Sequence, residues 1–220
     1  MNHKQERMGQ YVNYGCGLTA PSEWINFDVS PTLRLQKMPL VGSVLKSLGL
    51  LNTNFPANVR YGNVVQGLPG IASNSCDGVF CSHVLEHLAL EDFYKALRES
   101  YRVLKPGGTF RLVLPNLQKY MEEYQQALQT DDPQASVRFM QHTIVGTEYR
   151  AKGLKAIVEG IWGNARHLWM WDPVSMQHAL REAGFSSVRP AIFQDSKDSM
   201  FELVEEKSRF DGAMAFEAQK

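Results

Sequence analysis

Val12-Asn13-Tyr14-Gly15-Cys16-Gly17 reads as a short strand, Gln10 to Tyr14, running into a glycine turn. Glycine suits such a turn because the backbone must reverse sharply and approach a ligand with no Cβ in the way. The next strand-like run, Trp24 to Val29, carries Asp28 near its end. A carboxylate there can accept hydrogen bonds from both hydroxyls of a ribose, so turn and acid together point to a nucleoside-bearing ligand. Each alone has a plainer meaning. Short GxG strings arise by chance, and an aspartate at a strand end often caps a helix or sits in a solvated turn.

Outward from this turn, strand-like runs recur at Val59 to Val65, Asp77 to Ser82, Thr109 to Leu114, Ser187 to Gln194 and Ala213 to Gln219. Between them lie helical patterns. Phe93, Ala96, Leu97, Tyr101 and Leu104 share one face of a helix predicted over Glu91 to Leu104, which Lys105-Pro106-Gly107-Gly108 ends. Residues 38–51 are apolar and loosely helical, and further helices are predicted over 117–130, 134–145 and 150–161. Asp172-Pro173 has the form of a cap and first turn for a helix reaching about Ala183. Strands alternating with helices predict a mostly parallel sheet covered on both faces, with ligands bound beyond the carboxyl ends of the strands. One link is short. Leu18 to Glu23 leave no room for a helix before the second strand. Six extended residues still span about 20 Å, enough to return along a strand of about 16 Å. A helix-less loop is predicted there, leaving one side of the ligand less covered.

Taken together, VNYGCG, WINFDVSP, GNVVQGLP, SCDGVFCSHVLEHL and ALRESYRVLKPGGTFRLVLPNL resemble the class I S-adenosylmethionine-dependent methyltransferases of the type 11-like group. The likeness covers residues 11–117, and the pairing of SHVLEHL with RVLKPGG is its specific part. It implies a Rossmann-like, doubly wound, mostly parallel seven-stranded sheet with an antiparallel last strand and a helical insertion after strand five. It implies one methyltransferase domain over 1–220: a cofactor-binding half at 11–117, a helical acceptor or lid insertion at 118–172, and a C-terminal helix and strands at 173–220. S-Adenosyl-L-methionine is the implied cofactor, held by Tyr14, Gly15, Cys16, Gly17, Asp28, Asn63 and Ser82. Asn63 stands where such proteins commonly have an aspartate facing the adenine amine, and an amide oxygen can still accept that bond. The implied reaction moves a methyl group to an oxygen or nitrogen of a small molecule.

His83 and His87 are the candidate general bases, since an imidazole titrates near neutrality. The plainer reading has Glu86 and His87 shaping the strand–helix junction. No metal is expected, although His83-Val84-Leu85-Glu86-His87 also fits the HxxEH string of a zinc peptidase, with Glu159 as a third ligand. Such a string needs helix before it, whereas this one follows a strand. Gly15-x-Gly17-x-x-Ala20 likewise fits a dinucleotide fingerprint, but Asp28 comes too soon after it for NAD. A methyltransferase fold serving only as a sensor or assembly partner is the competing class.

Composition narrows the partners. Lys plus Arg equals Asp plus Glu at 23 each, so no overall field draws in nucleic acid. No run approaches a membrane span, and Met1 to Gln10 lacks the apolar centre of a secretory signal. Three cysteines with no CxxC pair suit the cytoplasm. The 38–51 stretch is open to three uses: covering the cofactor, forming a homodimer, or touching a lipid-like substrate. Trp162, Trp169 and Trp171 read either as core or as a wall of the acceptor pocket.

Overall fold

The computed structural model describes residues 9–38, 54–146, 148 and 166–220. Within them one seven-stranded sheet runs in the order β3-β2-β1-β4-β5-β7-β6. The first elements are β1 (Tyr11–Tyr14), β2 (Ile25–Asp28), α1 (Pro31–Lys37), β3 (Val59–Tyr61) and β4 (Cys76–Ser82). Then come α2 (Leu90–Val103), β5 (Leu104–Pro115), α3 (Leu117–Gln129) and α4 (Ala135–His142). The chain closes with α5 (Pro173–Glu182), β6 (Ser187–Ala191), α6 (Lys207–Phe210) and β7 (Ala213–Gln219). Strands β1 to β5 pair in parallel, and β7 runs antiparallel to both β5 and β6. This is the doubly wound, Rossmann-like sheet with a reversed last strand that the sequence predicts.

Alternation along β4 builds both layers. Val79 and Cys81 face one core, with Phe93, Ala96 and Leu97 of α2 and Met176, Ala179 and Leu180 of α5. Phe80 faces the other way, toward Trp24, Val113, Phe201 and Val204. The second layer has an unusual source. Residues 18–23 form turns with no helix, as predicted, so no helix from that crossover covers β1 and β4. The long β6–β7 connection fills the space instead, placing fully buried Phe201 5.4 Å from the Trp24 ring and 6.5 Å from Tyr11.

A buried ion cluster fastens that connection. Arg111 of β5 is 0% exposed and bonds Glu205, Glu217 at 3.1 Å and Asp195 at 2.8 Å. Its guanidinium also donates to the Ile192 carbonyl. The short loop 18–23 is held differently: Asn13 donates to the Thr19 carbonyl, and Asn26 to those of Pro21 and Trp24.

Several boundaries differ from the sequence reading. Helix α1 was not anticipated, although Pro31 at its first position is a favoured start. Strand β3 stops at Tyr61, because Asn63 caps a 3-10 turn at Val64–Gln66. The Lys105–Gly108 stretch interrupts the β4 register without ending the strand, and Gly107, at φ +79°, donates to the Lys220 carbonyl. Helix α4 ends at His142, near Ile144 at φ +52°, and β6 ends at Ala191, before Gln194 at φ +57°. The predicted helix over 150–161, and the 38–51 stretch from residue 39 onward, lie outside the described residues, as do Trp162 and Glu159.

Candidate active site

The carboxyl ends of β1, β2 and β4 meet at the Gly15–Gly17 turn. Both glycines have positive φ, +65° and +54°. A Cβ on Gly15 would stand 2.1 Å from a Val84 methyl, whereas one on Gly17 would meet nothing within 4 Å. The first glycine therefore lets the turn pack under the β4 end, and the second leaves room above it. Asp28 braces the turn: Oδ2 accepts the Gly17 N–H at 2.9 Å and Oδ1 the Ser30 N–H at 2.7 Å. Each carboxylate oxygen keeps a further lone pair for a ligand hydroxyl.

A small cleft opens here, lined by Asn13, Gly15, Cys16, Thr19, Ser82 and Arg209, among others. The Ser82 hydroxyl is buried with no hydrogen-bond partner. A native hydroxyl is seldom left so, because the loss costs about 1–3 kcal/mol. With the open space at Gly17, this orphan fits a bound polar ligand.

The other predicted contacts divide. Tyr14 offers the cleft only main chain, since its ring is buried and its hydroxyl bonds Ser100 at 3.0 Å. Cys16 is also buried, and burial with the nearby Asp28 charge pushes its thiol up to about 12, which makes it inert as a nucleophile. Asn63 Oδ1 accepts the Val65 N–H at 2.9 Å, so its oxygen is already in use locally. The neighbouring loop is held from α2: Glu99 accepts the Leu68 N–H, and Arg102 bonds Glu99 and the Ile71 carbonyl.

His83 sits at φ +53°, directly after Ser82. Its Nδ1 faces Glu86 Oε1 at 3.1 Å and its Nε2 faces the Arg209 carbonyl at 2.8 Å. Both partners accept, so the ring is satisfied with protons on both nitrogens. Burial pushes its pKa down, but the Glu86 carboxylate and the Arg209 carbonyl outweigh burial and raise it. His87 lies in a 3-10 turn, Leu85–His87, and its Nδ1 donates to the Arg166 carbonyl at 2.9 Å. The HxxEH string thus lies on a strand end and a tight turn, not on the helix a zinc peptidase requires. Trp171 is core, stacked 4.3 Å from Phe93, while Trp169 is 42% exposed.

Sequence reading missed the Asn13–Asn26 brace and the approach of Glu206 and Arg209. Thr19 bonds Glu206 beside the glycine turn, so the β6–β7 connection reaches the side predicted to be less covered. Asparagine is depleted in strands, which was the available signal for Asn13 and Asn26. Nothing local marked Glu206.

A parallel sheet that reverses at its far edge, with a braced glycine turn at the carboxyl end of β1, defines a Rossmann-like domain for a nucleoside cofactor. Residues 12–112 match the family described as a methyltransferase domain. Over that stretch, somewhat under half of its length, the chain is similar to a methyltransferase domain. Among solved structures it is similar to a SAM-dependent methyltransferase from Archaeoglobus fulgidus, at 16% identity and TM-score 0.49, over 96% of this chain and 86% of that one. It is similar also to phosphoethanolamine N-methyltransferase 2 of Haemonchus contortus in complex with S-adenosyl-L-methionine, at 16% identity and TM-score 0.45, over 96% and 49%. Both likenesses are loose, and neither bears on the acceptor. No curated protein matches the chain.

Proposed function

We propose that this domain methylates an oxygen or nitrogen atom of a small molecule in the cleft beyond β1 and β4. The observation that carries this reading is the Gly15–Gly17 turn, braced by Asp28 and facing the unpartnered Ser82 hydroxyl. S-Adenosylmethionine supplies a methyl group activated on a sulfonium. Methyl transfer forms the new bond with the acceptor's lone pair, leaves the broken bond's electrons on sulfur, and releases the acceptor's proton to water. The backbone of Gly15 to Gly17 holds the amino-acid end, Asp28 receives the ribose hydroxyls, and the Ser82 hydroxyl bonds the ligand above β4. Asn63 faces the adenine through its amide.

The protein's own part is alignment and exclusion of water, which can supply most of the acceleration for such a displacement. His83, with both ring nitrogens engaged, works as a positioning residue that holds the Arg209 carbonyl over the cleft. The same engagement favours one rival, a non-catalytic S-adenosylmethionine-binding protein, because among the described residues no unengaged base stands at the β4 end. We place the protein in the cytoplasm, where Cys16, Cys76 and Cys81 remain reduced thiols. Among the described residues no helix is long and apolar enough to cross a membrane.

The test has two stages. Calorimetric titration with S-adenosylmethionine and S-adenosylhomocysteine, with NAD as control, should give micromolar binding of the first two alone. Methyl transfer from labelled cofactor to a panel of hydroxylated and amino small molecules then separates enzyme from binding protein. Failure to bind either compound defeats the cofactor assignment.

A further inference from the structure

Next to the cleft lies a group of side chains that methyl transfer does not use. The Arg166–Trp169 segment docks onto the 3-10 turn that follows β4. Leu168 and Trp169 donate their N–H groups to the Glu86 carbonyl at 2.7 and 3.1 Å, and the Arg166 carbonyl receives His87 Nδ1. This docking brings His167 against Glu86 and His87, two neighbours in sequence that lie far from it along the chain. His167 Nε2 is 4.0 Å from Glu86 Oε1, and the rings of His87 and His167 meet edge to face at 5.0 Å. One ligand atom from each of the three lies within 4.8 Å of the others.

Burial makes the arrangement costly as it stands. The Glu86 side chain is 1% exposed and that of His167 6%. Glu86 Oε2 and His167 Nδ1 are both buried without a hydrogen-bond partner. A carboxylate and an imidazole so placed lose hydration and gain little in return. A cation between them would satisfy the carboxylate and draw the group together. Ligands about 2.0–2.1 Å from a tetrahedral ion stand about 3.3 Å apart, so closure needs movements of about 1 Å or slightly more. His83 already holds Glu86 Oε1 at 3.1 Å, as outer residues commonly orient a metal's carboxylate.

We propose that Glu86, His87 and His167 form a binding site for a divalent transition-metal ion of the zinc class, with no further ligand among the described residues. Two imidazoles and one carboxylate are a ligand set that zinc takes with an open place, and imidazole favours such ions over magnesium or calcium. An oxygen bound at the open place loses its proton more readily, which supplies what the engaged His83 does not. That use of the ion rests on the methyltransferase reading, whereas its binding does not. The sequence predicts no metal, because the HxxEH string follows a strand instead of lying on a helix; the site proposed here pairs His87 with His167 in place of His83.

The test uses the full chain, stripped with a chelator and titrated with Zn²⁺, with Mg²⁺ in parallel. One equivalent of Zn²⁺ should bind, and Glu86→Gln and His167→Ala should each weaken it by about a hundredfold or more, as losing a ligand exceeds the 10- to 100-fold cost of losing its support. S-Adenosylmethionine titration of each variant reports whether the fold survives. If a variant fails to fold, the visible spectrum of the Co²⁺-loaded wild-type chain decides: bands of nitrogen and oxygen ligation support the site, and thiolate charge transfer overturns it. No stoichiometric Zn²⁺ binding, or unchanged binding in both variants, also overturns it. Loss of S-adenosylmethionine binding with Zn²⁺ binding intact would defeat the cofactor reading and leave the metal site standing.

Discussion

Asp28 and Gly17 are joined by a hydrogen bond of 2.9 Å from the glycine N–H to the aspartate Oδ2, so the residue assigned to the ribose also shapes the turn beneath it. Replacing Asp28 with Ala removes both effects. The expected loss of S-adenosylmethionine affinity is about 1–3 kcal/mol, the cost of one hydrogen-bonding carboxylate. Calorimetry on a variant whose melting shows it folded measures this directly, and unchanged affinity would remove the ribose assignment.

The two glycines of the turn should respond unequally to alanine. Both would suffer a left-handed backbone, costing about 1–2 kcal/mol. Gly15→Ala would also drive a methyl into Val84, adding about 1–3 kcal/mol of overpacking. Urea denaturation should therefore show Gly15→Ala to be clearly the less stable. The double variant Gly15→Ala, Val84→Ala should recover part of the difference, since only the collision is relieved. Equal losses at Gly15 and Gly17 would contradict the close approach.

Arg111→Met should destabilise the fold by about 3–5 kcal/mol, because it leaves buried carboxylates without their cation. Glu205 has a side chain 0% exposed, and Asp195 and Glu217 share the same guanidinium. Denaturant midpoints measure the loss. Proteolysis should then cut first within residues 192–212, the connection that the cluster fastens.

Acid should weaken the protein through two carboxylates. Burial raises the pKa of Asp195, but hydrogen bonds from Arg189 and Arg111 outweigh it and hold the group below its ordinary 3.8. Burial likewise raises Glu99, and Arg102 with the Leu68 N–H brings it below 4.5. A carboxylate depressed on folding stabilises fully above its ordinary pKa and loses that contribution as pH falls through the depressed value. Unfolding free energy should be insensitive to these groups near neutrality and fall below about pH 4.5, with Arg102→Met showing a shallower fall. An identical acid slope in the variant would dismiss the Glu99 contribution.

Much of this was legible in the sequence because it is local. The Gly15–Gly17 turn, the β4 run and the Asp172 cap are each decided within a few residues, and Asp172 does accept the N–H groups of Val174 and Ser175. The missing first helix was legible too, from simple chain reach. What covers the gap was not. Phe201 meets β1 across most of the chain and Glu205 meets β5 across 94 residues, and no period or turn residue announces such contacts. His167 was hidden for the same reason. Its ring meets Glu86 only once Leu168 and Trp169 have paired with that residue's carbonyl. A histidine in an aromatic-rich stretch reads as core until that docking is seen.

The late connection that stands in for the missing helix also sets an order of events. During synthesis the glycine turn, Asp28 and Ser82 emerge first, and the cover that includes Glu206 and Arg209 emerges only after them. A nascent chain would therefore expose an unroofed pocket, with Trp24, Phe80 and Val113 bare to solvent until Phe201 arrives. Maturation of the site is tied to completion of the sheet, and a ribosome stalled before β7 would hold a domain able to form its first strands but not to enclose its ligand.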